Sequence, residues 1–172
     1  QTVFVERTRR TTTGKSVGEI SKRLADGDVV IFFPEGTSTS GNEVLAFKSA
    51  LVGAAQQASL EMGTEVYVQP VSVAYTRFHG LPMGRQFRSM AAWYGKMPIM
   101  PHIAQLLREG GIDARLEWGE PLRVSQSTDR KTLTLELEQT VRQMMLDAVL
   151  GYKDKPELRP APNPDPAPPF IQ

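Results

Sequence analysis

The chain of 172 residues has no cysteine, two histidines and almost no net charge. Without cysteine there is no disulfide framework, thiolate zinc site or cysteine nucleophile, a usage compatible with a reducing compartment. Twenty lysines and arginines against 19 acidic residues leave a formal charge of +1. That balance excludes the strongly basic footprint of a general nucleic-acid binder. No apolar run exceeds five residues, the length of Val29 to Phe33, far short of the roughly 20 residues a membrane-spanning helix needs. No secretory leader pattern is visible. His79 and His102 have no metal-type partner at useful spacing, so no metal site is expected and packing or surface roles are.

What is present is ordinary globular material. A hydrophobic fraction of 40% with 23% charged residues suits a packed domain and excludes collagen, coiled coil and wholesale disorder. Seven of the 13 prolines fall between Pro156 and Pro169. Residues 156–172 therefore read as a proline-rich tail and residues 1–155 as the domain. The chain opens at Gln1 directly into Thr2-Val3-Phe4-Val5, a strand pattern, so a preceding part is expected to be missing.

The periods alternate along the domain. Ser16-Val17-Gly18-Glu19 has the form of a capping box, with Val17, Ile20 and Leu24 on one helical face up to Gly27. Asp28 to Phe33 is β-branched and aromatic and reads as a buried strand. Ser49 to Met62 reads as a small-residue helix with Leu51, Ala54, Ala55 and Ala58 inward, and Val66 to Thr76 is β-prone. Pro101 to Glu109 is a short helix. Ile112, Ala114, Leu116 and Trp118 alternate with Asp113, Arg115 and Glu117, as in a half-exposed strand. Leu133, Leu137, Val141, Met144 or Met145, and Ala148 form a final helical stripe. The fold class expected is α/β: a largely parallel mixed sheet with helices on its faces.

Ligands in such sheets sit past the carboxyl ends of strands. That points to Phe33-Pro34-Glu35-Gly36-Thr37-Ser38. Pro34 fixes φ and Gly36 permits a sharp turn or a close backbone approach. Glu35 either receives hydroxyls of a polar ligand or caps local backbone N–H groups. Val3-Phe4-Val5-Glu6-Arg7 is a second strand end, whose arginine is suited to an anion or simply solvated. Gly14-Lys15-Ser16 lacks the earlier glycine of a P-loop, and Gly36 to Ser40 lacks the second glycine of a nucleophile elbow. Between Phe78 and Ile103, Met83, Met90, Met97 and Met100 interleave with Phe87, Trp93, Tyr94, Arg85, Arg88 and Lys96. That mixture fits an acyl-chain pocket, a bilayer-facing surface or plain core packing.

Val3-Phe4-Val5-Glu6-Arg7, Phe33-Pro34-Glu35-Gly36-Thr37 and Val68-Gln69-Pro70-Val71 together resemble three of four blocks of the glycerolipid acyltransferases, the 1-acylglycerol-3-phosphate type. The resemblance runs from Thr2 to Leu122. Phe47-Lys48-Ser49-Ala50-Leu51 and Ala92-Trp93-Tyr94-Gly95 look like the bacterial branch that includes lyso-ornithine lipid acyltransferases. The resemblance implies transfer of an acyl group from acyl-CoA or acyl carrier protein to the hydroxyl of a lysolipid. It implies no cofactor beyond that thioester, no nucleic-acid partner, and work at the cytoplasmic face of the cell membrane, peripherally or through an upstream anchor. Arg7, Glu35, Gly36 and Thr37 would bind the polar head, with Lys48 as a supporting cation, and Pro70 would shape the acyl-donor side.

Two departures accompany the resemblance. The family's general base is the histidine of a His-x-x-x-x-Asp block lying upstream of the Arg7 block, and this chain has none. His79 is followed at the fifth position by Gly84 and His102 by Leu107. No catalytic residue is therefore assigned, and the chain is expected to be a truncated acyltransferase without activity of its own. The other departure is Ser38, where many phosphatidate-forming members carry arginine. Its absence leaves room for a lyso-ornithine lipid. Two alternatives stay open: a non-catalytic lipid-binding relative, and an unrelated phosphate-binding α/β protein.

Overall fold

The computed structural model describes residues 10–63 and 65–151. The Arg7 block and the proline-rich tail lie outside the described residues. Helix α1 spans Arg10–Ala25 and α2 spans Ser49–Met62. Then come strands β1 (Val66–Val68), β2 (Val71–Phe78) and β3 (Leu81–Pro82), helices α3 (Arg85–Ala91) and α4 (Ile99–Glu109), strands β4 (Ile112–Trp118) and β5 (Leu122–Val124), and helix α5 (Arg130–Leu150). No helix among the described residues is long and apolar enough to cross a membrane.

Helix α2 is built of small residues because it sits in the middle. Val52, Ala55 and Ala58 meet Val66, Val124, Leu133 and Leu137, while Ala54 faces Ile20 of α1. Alanine keeps helix propensity high and lets backbones approach closely. Gly63, at φ 65°, ends the helix in the left-handed conformation. The stripe expected on α5 is inward as read: Leu133, Leu137, Met144, Met145 and Ala148 are buried. Asp129 caps that helix by accepting from Thr132 N at 2.7 Å.

Three expectations are corrected. The sheet is α/β in content, but every ladder among the described residues is antiparallel: β1 with β5, and β2 between β3 and β4. The reason lies in the connection. Phe78 pairs with Ile112, so the excursion through α3 and α4 leaves and re-enters the sheet at the same end, and β4 must run back. Asp28 to Phe33 forms no ladder among the described residues. It is extended, with Val30 and Phe32 packed on the Ile20–Ala54 cluster and Val29, Ile31 and Phe33 exposed. Helix α1 also begins at Arg10, so Ser16 lies inside it rather than capping it. The same placement puts Gly14-Lys15-Ser16 on a helix, not in a phosphate-binding loop.

Strand β4 is present where the alternation places it, and its apolar set is the more exposed one. Leu116 is 53% and Trp118 61% exposed, whereas Glu117 is buried. Across the ladder Ser72 stands opposite Glu117, and Ser72 and Ala74 are also buried. Glu117 carries a partner into this position, since Arg115 Nε lies 2.9 Å from its Oε1. A buried carboxylate needs such a partner.

Candidate functional site

The segment Pro34 to Lys48 leaves the extended run at Phe33 and returns to α2. Its two ends are closed by Lys48 N donating to Pro34 O at 2.8 Å. Gly36 adopts φ +70°, a conformation favouring glycine. A Cβ at Gly36 would meet the Lys48 side chain, with Cε at 2.8 Å and Nζ closer still. The ammonium of Lys48 is thus laid over the Gly36 backbone, ten residues or more away along the chain but adjacent in space. The fold brings together Glu35, Gly36 and Lys48, three of the positions expected from sequence. Thr37 and Ser38 are exposed at the tip beside them.

Glu35 has one oxygen engaged. Its Oε2 accepts from Leu45 N at 2.8 Å, which is the local capping role. Its Oε1 has no hydrogen-bond partner among the described residues. Burial pushes the Glu35 carboxyl above its ordinary value; the Leu45 N–H and the charge of Arg142 pull the other way, and Glu138 and Glu43 push it further up. A second carboxylate holds the same loop from outside. Glu138 on α5 accepts from Phe47 N at 3.1 Å through Oε2 and from Arg142 at 2.9 Å through Oε1. Those two bonds, the Arg142 one first, hold Glu138 below its ordinary value.

Arg88 ties the loop down at a third point. It is buried on α3, donates from Nη1 to Asn42 Oδ1 and from Nη2 to Met83 O, both at 3.1 Å, and its Nε has no partner among the described residues. Thr39 Oγ1 closes the tip by donating to Glu43 O. Glu138 and Arg88 were not singled out for this site from the sequence. Glu138 lies 91 residues from its loop partner; the only local signal is its i,i+4 spacing from Arg142.

Pro70 lies outside the Pro34–Lys48 loop. It is buried at the joint between β1 and β2, and its carbonyl accepts from Gly119 N at 2.9 Å. A Cβ at Gly119 would come within 2.8 Å of the Pro70 ring. The residue is therefore a packed strand break, as a proline without an N–H must be. The histidines take the packing and surface roles expected. His102 is buried with Nε2 3.1 Å from Met90 O, and exposed His79 lies with its ring 4.2 Å from that of Phe78, tilted by 55°. No group of three metal-type side chains occurs among the described residues.

The acyltransferase family profile matches residues 1–74, which contain the whole Pro34–Lys48 loop. The chain belongs to the glycerolipid acyltransferase family. It is 50% identical over 152 residues to the lyso-ornithine lipid O-acyltransferase of Brucella abortus, covering 88% of this chain and 57% of that protein. The protein of the same name from Rhizobium meliloti is 42% identical over 150 residues, 87% of this chain and 51% of its own length. That of Rhodobacter capsulatus is 36% identical over 147 residues, with 84% and 50% covered. This acyltransferase-family chain spans about half the length of the curated relatives it matches. No solved structure gives a significant match.

The opposed carboxylates make a testable pH signature. A raised Glu35 favours the folded state at low pH, and that contribution is lost as pH rises from the ordinary 4.5 through its folded value. A lowered Glu138 contributes stability above 4.5 that is lost as pH falls through its folded value. In melting temperatures measured against pH, Glu35→Gln is expected to gain on the wild type above about pH 4.5. Glu138→Gln is expected to lose its disadvantage below that point. Profiles parallel to the wild type for both variants would contradict these environments.

Proposed function

We propose that the chain is the acceptor-binding part of an O-acyltransferase that acylates a lysolipid hydroxyl from acyl-CoA or acyl carrier protein. In that reaction the hydroxyl oxygen bonds to the thioester carbonyl carbon, the carbon–sulfur bond breaks, and the hydroxyl proton is passed on through a base to the departing thiolate. The favoured acceptor is a lyso-ornithine lipid rather than lysophosphatidate. The observation that carries this reading is the placement, in one loop, of a carboxylate with one oxygen that has no partner among the described residues and an ammonium folded over Gly36.

An ornithine head acylated on its α-nitrogen presents an ammonium and a carboxylate, which Glu35 and Lys48 complement in sign. A phosphate head would want a second cation at the tip, where Ser38 stands. The names of the relatives agree with the choice. Arg7 remains a proposed head-group contact, and Gly36 and Thr37 would offer backbone and hydroxyl donors. Pro70 would act on the donor side only indirectly, by fixing the joint between β1 and β2. The work is placed at the cytoplasmic membrane surface, with no metal or further cofactor. Assay of the full-length gene product with both lysolipids tests the reading, lyso-ornithine lipid being the expected substrate.

A further inference from the structure

Helix α4 is an amphipathic helix whose apolar stripe is turned outward. Ile99, Met100, Ile103 and Leu107 fall within about 100° of one another on a helical wheel. All four are exposed, Met100 at 71% and Leu107 at 80%. The helix is anchored from its other side. His102 is its buried residue, with Nε2 held 3.1 Å from Met90 O. Pro98 stands at its N-cap, and Gly110 N returns to Leu106 O at 2.9 Å. Four large apolar side chains are thus held in water on a fixed support, with exposed Trp93 and Phe87 just upstream.

The charge around the stripe distinguishes what covers it. From Arg85 to Glu109 the sequence has four basic residues and one acidic, whereas the whole chain is only +1. Arg85, Lys96 and Arg108 are exposed. A stripe of isoleucine, methionine and leucine bordered by cations matches the boundary of an anionic bilayer, where apolar side chains enter the acyl region and cations stay among the phosphates. At 11 residues the helix is about 16 Å long, suited to lying in the interface rather than crossing it.

We propose that α4, with Trp93 and Lys96 ahead of it, is a membrane-docking element that lays its Ile99–Leu107 stripe into an anionic lipid surface. The proposal rests on the reading of the chain as one that takes its acceptor from a membrane, and it names the surface that makes the contact. Its test contains no lysolipid, so failure here leaves the Glu35–Lys48 site standing.

The experiment uses the 172-residue chain carrying Trp118→Phe, which leaves Trp93 as the single tryptophan. Vesicles of phosphatidylcholine with one quarter phosphatidylglycerol should shift Trp93 emission to the blue and carry the protein upward in flotation. Pure phosphatidylcholine should do so far less. Met100→Glu with Leu107→Glu, both at exposed positions, should leave the circular dichroism and melting temperature unchanged and abolish flotation. Lys96→Gln with Arg108→Gln should weaken binding to the anionic vesicles about 10- to 30-fold. Undisturbed flotation of the glutamate variant, or an unshifted Trp93 with anionic vesicles, would overturn the proposal. So would light scattering that finds a dimer which the glutamate variant dissociates, since a second copy would then be the occupant.

Discussion

Replacing Glu35 by alanine in the full-length gene product is expected to lower kcat/KM for the lysolipid acceptor by about 10- to 100-fold. A hydrogen bond to a charged group contributes about 1.5–3 kcal/mol, and each 1.4 kcal/mol is tenfold. Glu35 has two separable duties. Oε2 holds Leu45 N, and Oε1 faces no partner among the described residues. Glu35→Gln keeps an oxygen for Leu45 and removes the negative charge, so it should restore the loop and not the acceptor. The alanine and glutamine variants should therefore differ in melting temperature while sharing the loss of kcat/KM. If glutamine restored both, the residue would be a loop cap alone.

The isolated chain is expected to transfer no acyl group, the second large effect. A general base contributes roughly 10²–10⁴ in rate, and neither histidine of this chain is placed to act as one. His102 is buried against the Met90 carbonyl, and His79 sets its ring at a tilt against Phe78, with Gly111 O accepting from its backbone N–H at 2.6 Å. Neither stands in the family's His-x-x-x-x-Asp pattern. Mixing the chain with acyl-CoA or acyl carrier protein and lyso-ornithine lipid should release thiol at the uncatalysed rate. Thiol release that scales with chain concentration and yields acylated lipid would refute this.

Much of the fold is visible in local pattern because its periods are long and consistent. The stripe on α5, the alanines of α2 and the glycine stop at Gly63 are each enforced by one dense core, so sequence period and burial agree. Strand β4 shows where that logic stops. Its apolar alternation marks a strand but does not say which face is covered, and the covered face is the one with Ser72 and Ala74, occupied by α5 and by the Arg115–Glu117 pair. Period says which residues share a face, and tertiary packing says which face is covered. The ladders among the described residues are antiparallel for a related reason: the direction of a connection depends on where α3 and α4 return the chain.

The site divides in the same way. Lys48 was named only through the family resemblance, whereas Glu35 and Gly36 were legible because turn chemistry is local: a proline, a carboxylate and a left-handed glycine stand side by side. Glu138 and Arg88 were not. Each meets the loop from a distant helix, and a charged residue flanking an apolar stripe looks the same whether it ends in water or on a backbone N–H.

The central claim is that the Pro34–Lys48 loop receives the head of an ornithine lipid through paired opposite charges. The most direct measurement is the ratio of kcat/KM for lyso-ornithine lipid to that for lysophosphatidate in the full-length gene product, with and without Glu35→Gln. The account predicts a ratio above about tenfold, equivalent to about 1.4 kcal/mol, that collapses toward one in the variant. A ratio at or below one in the wild type, or one that Glu35→Gln leaves unchanged, would contradict it.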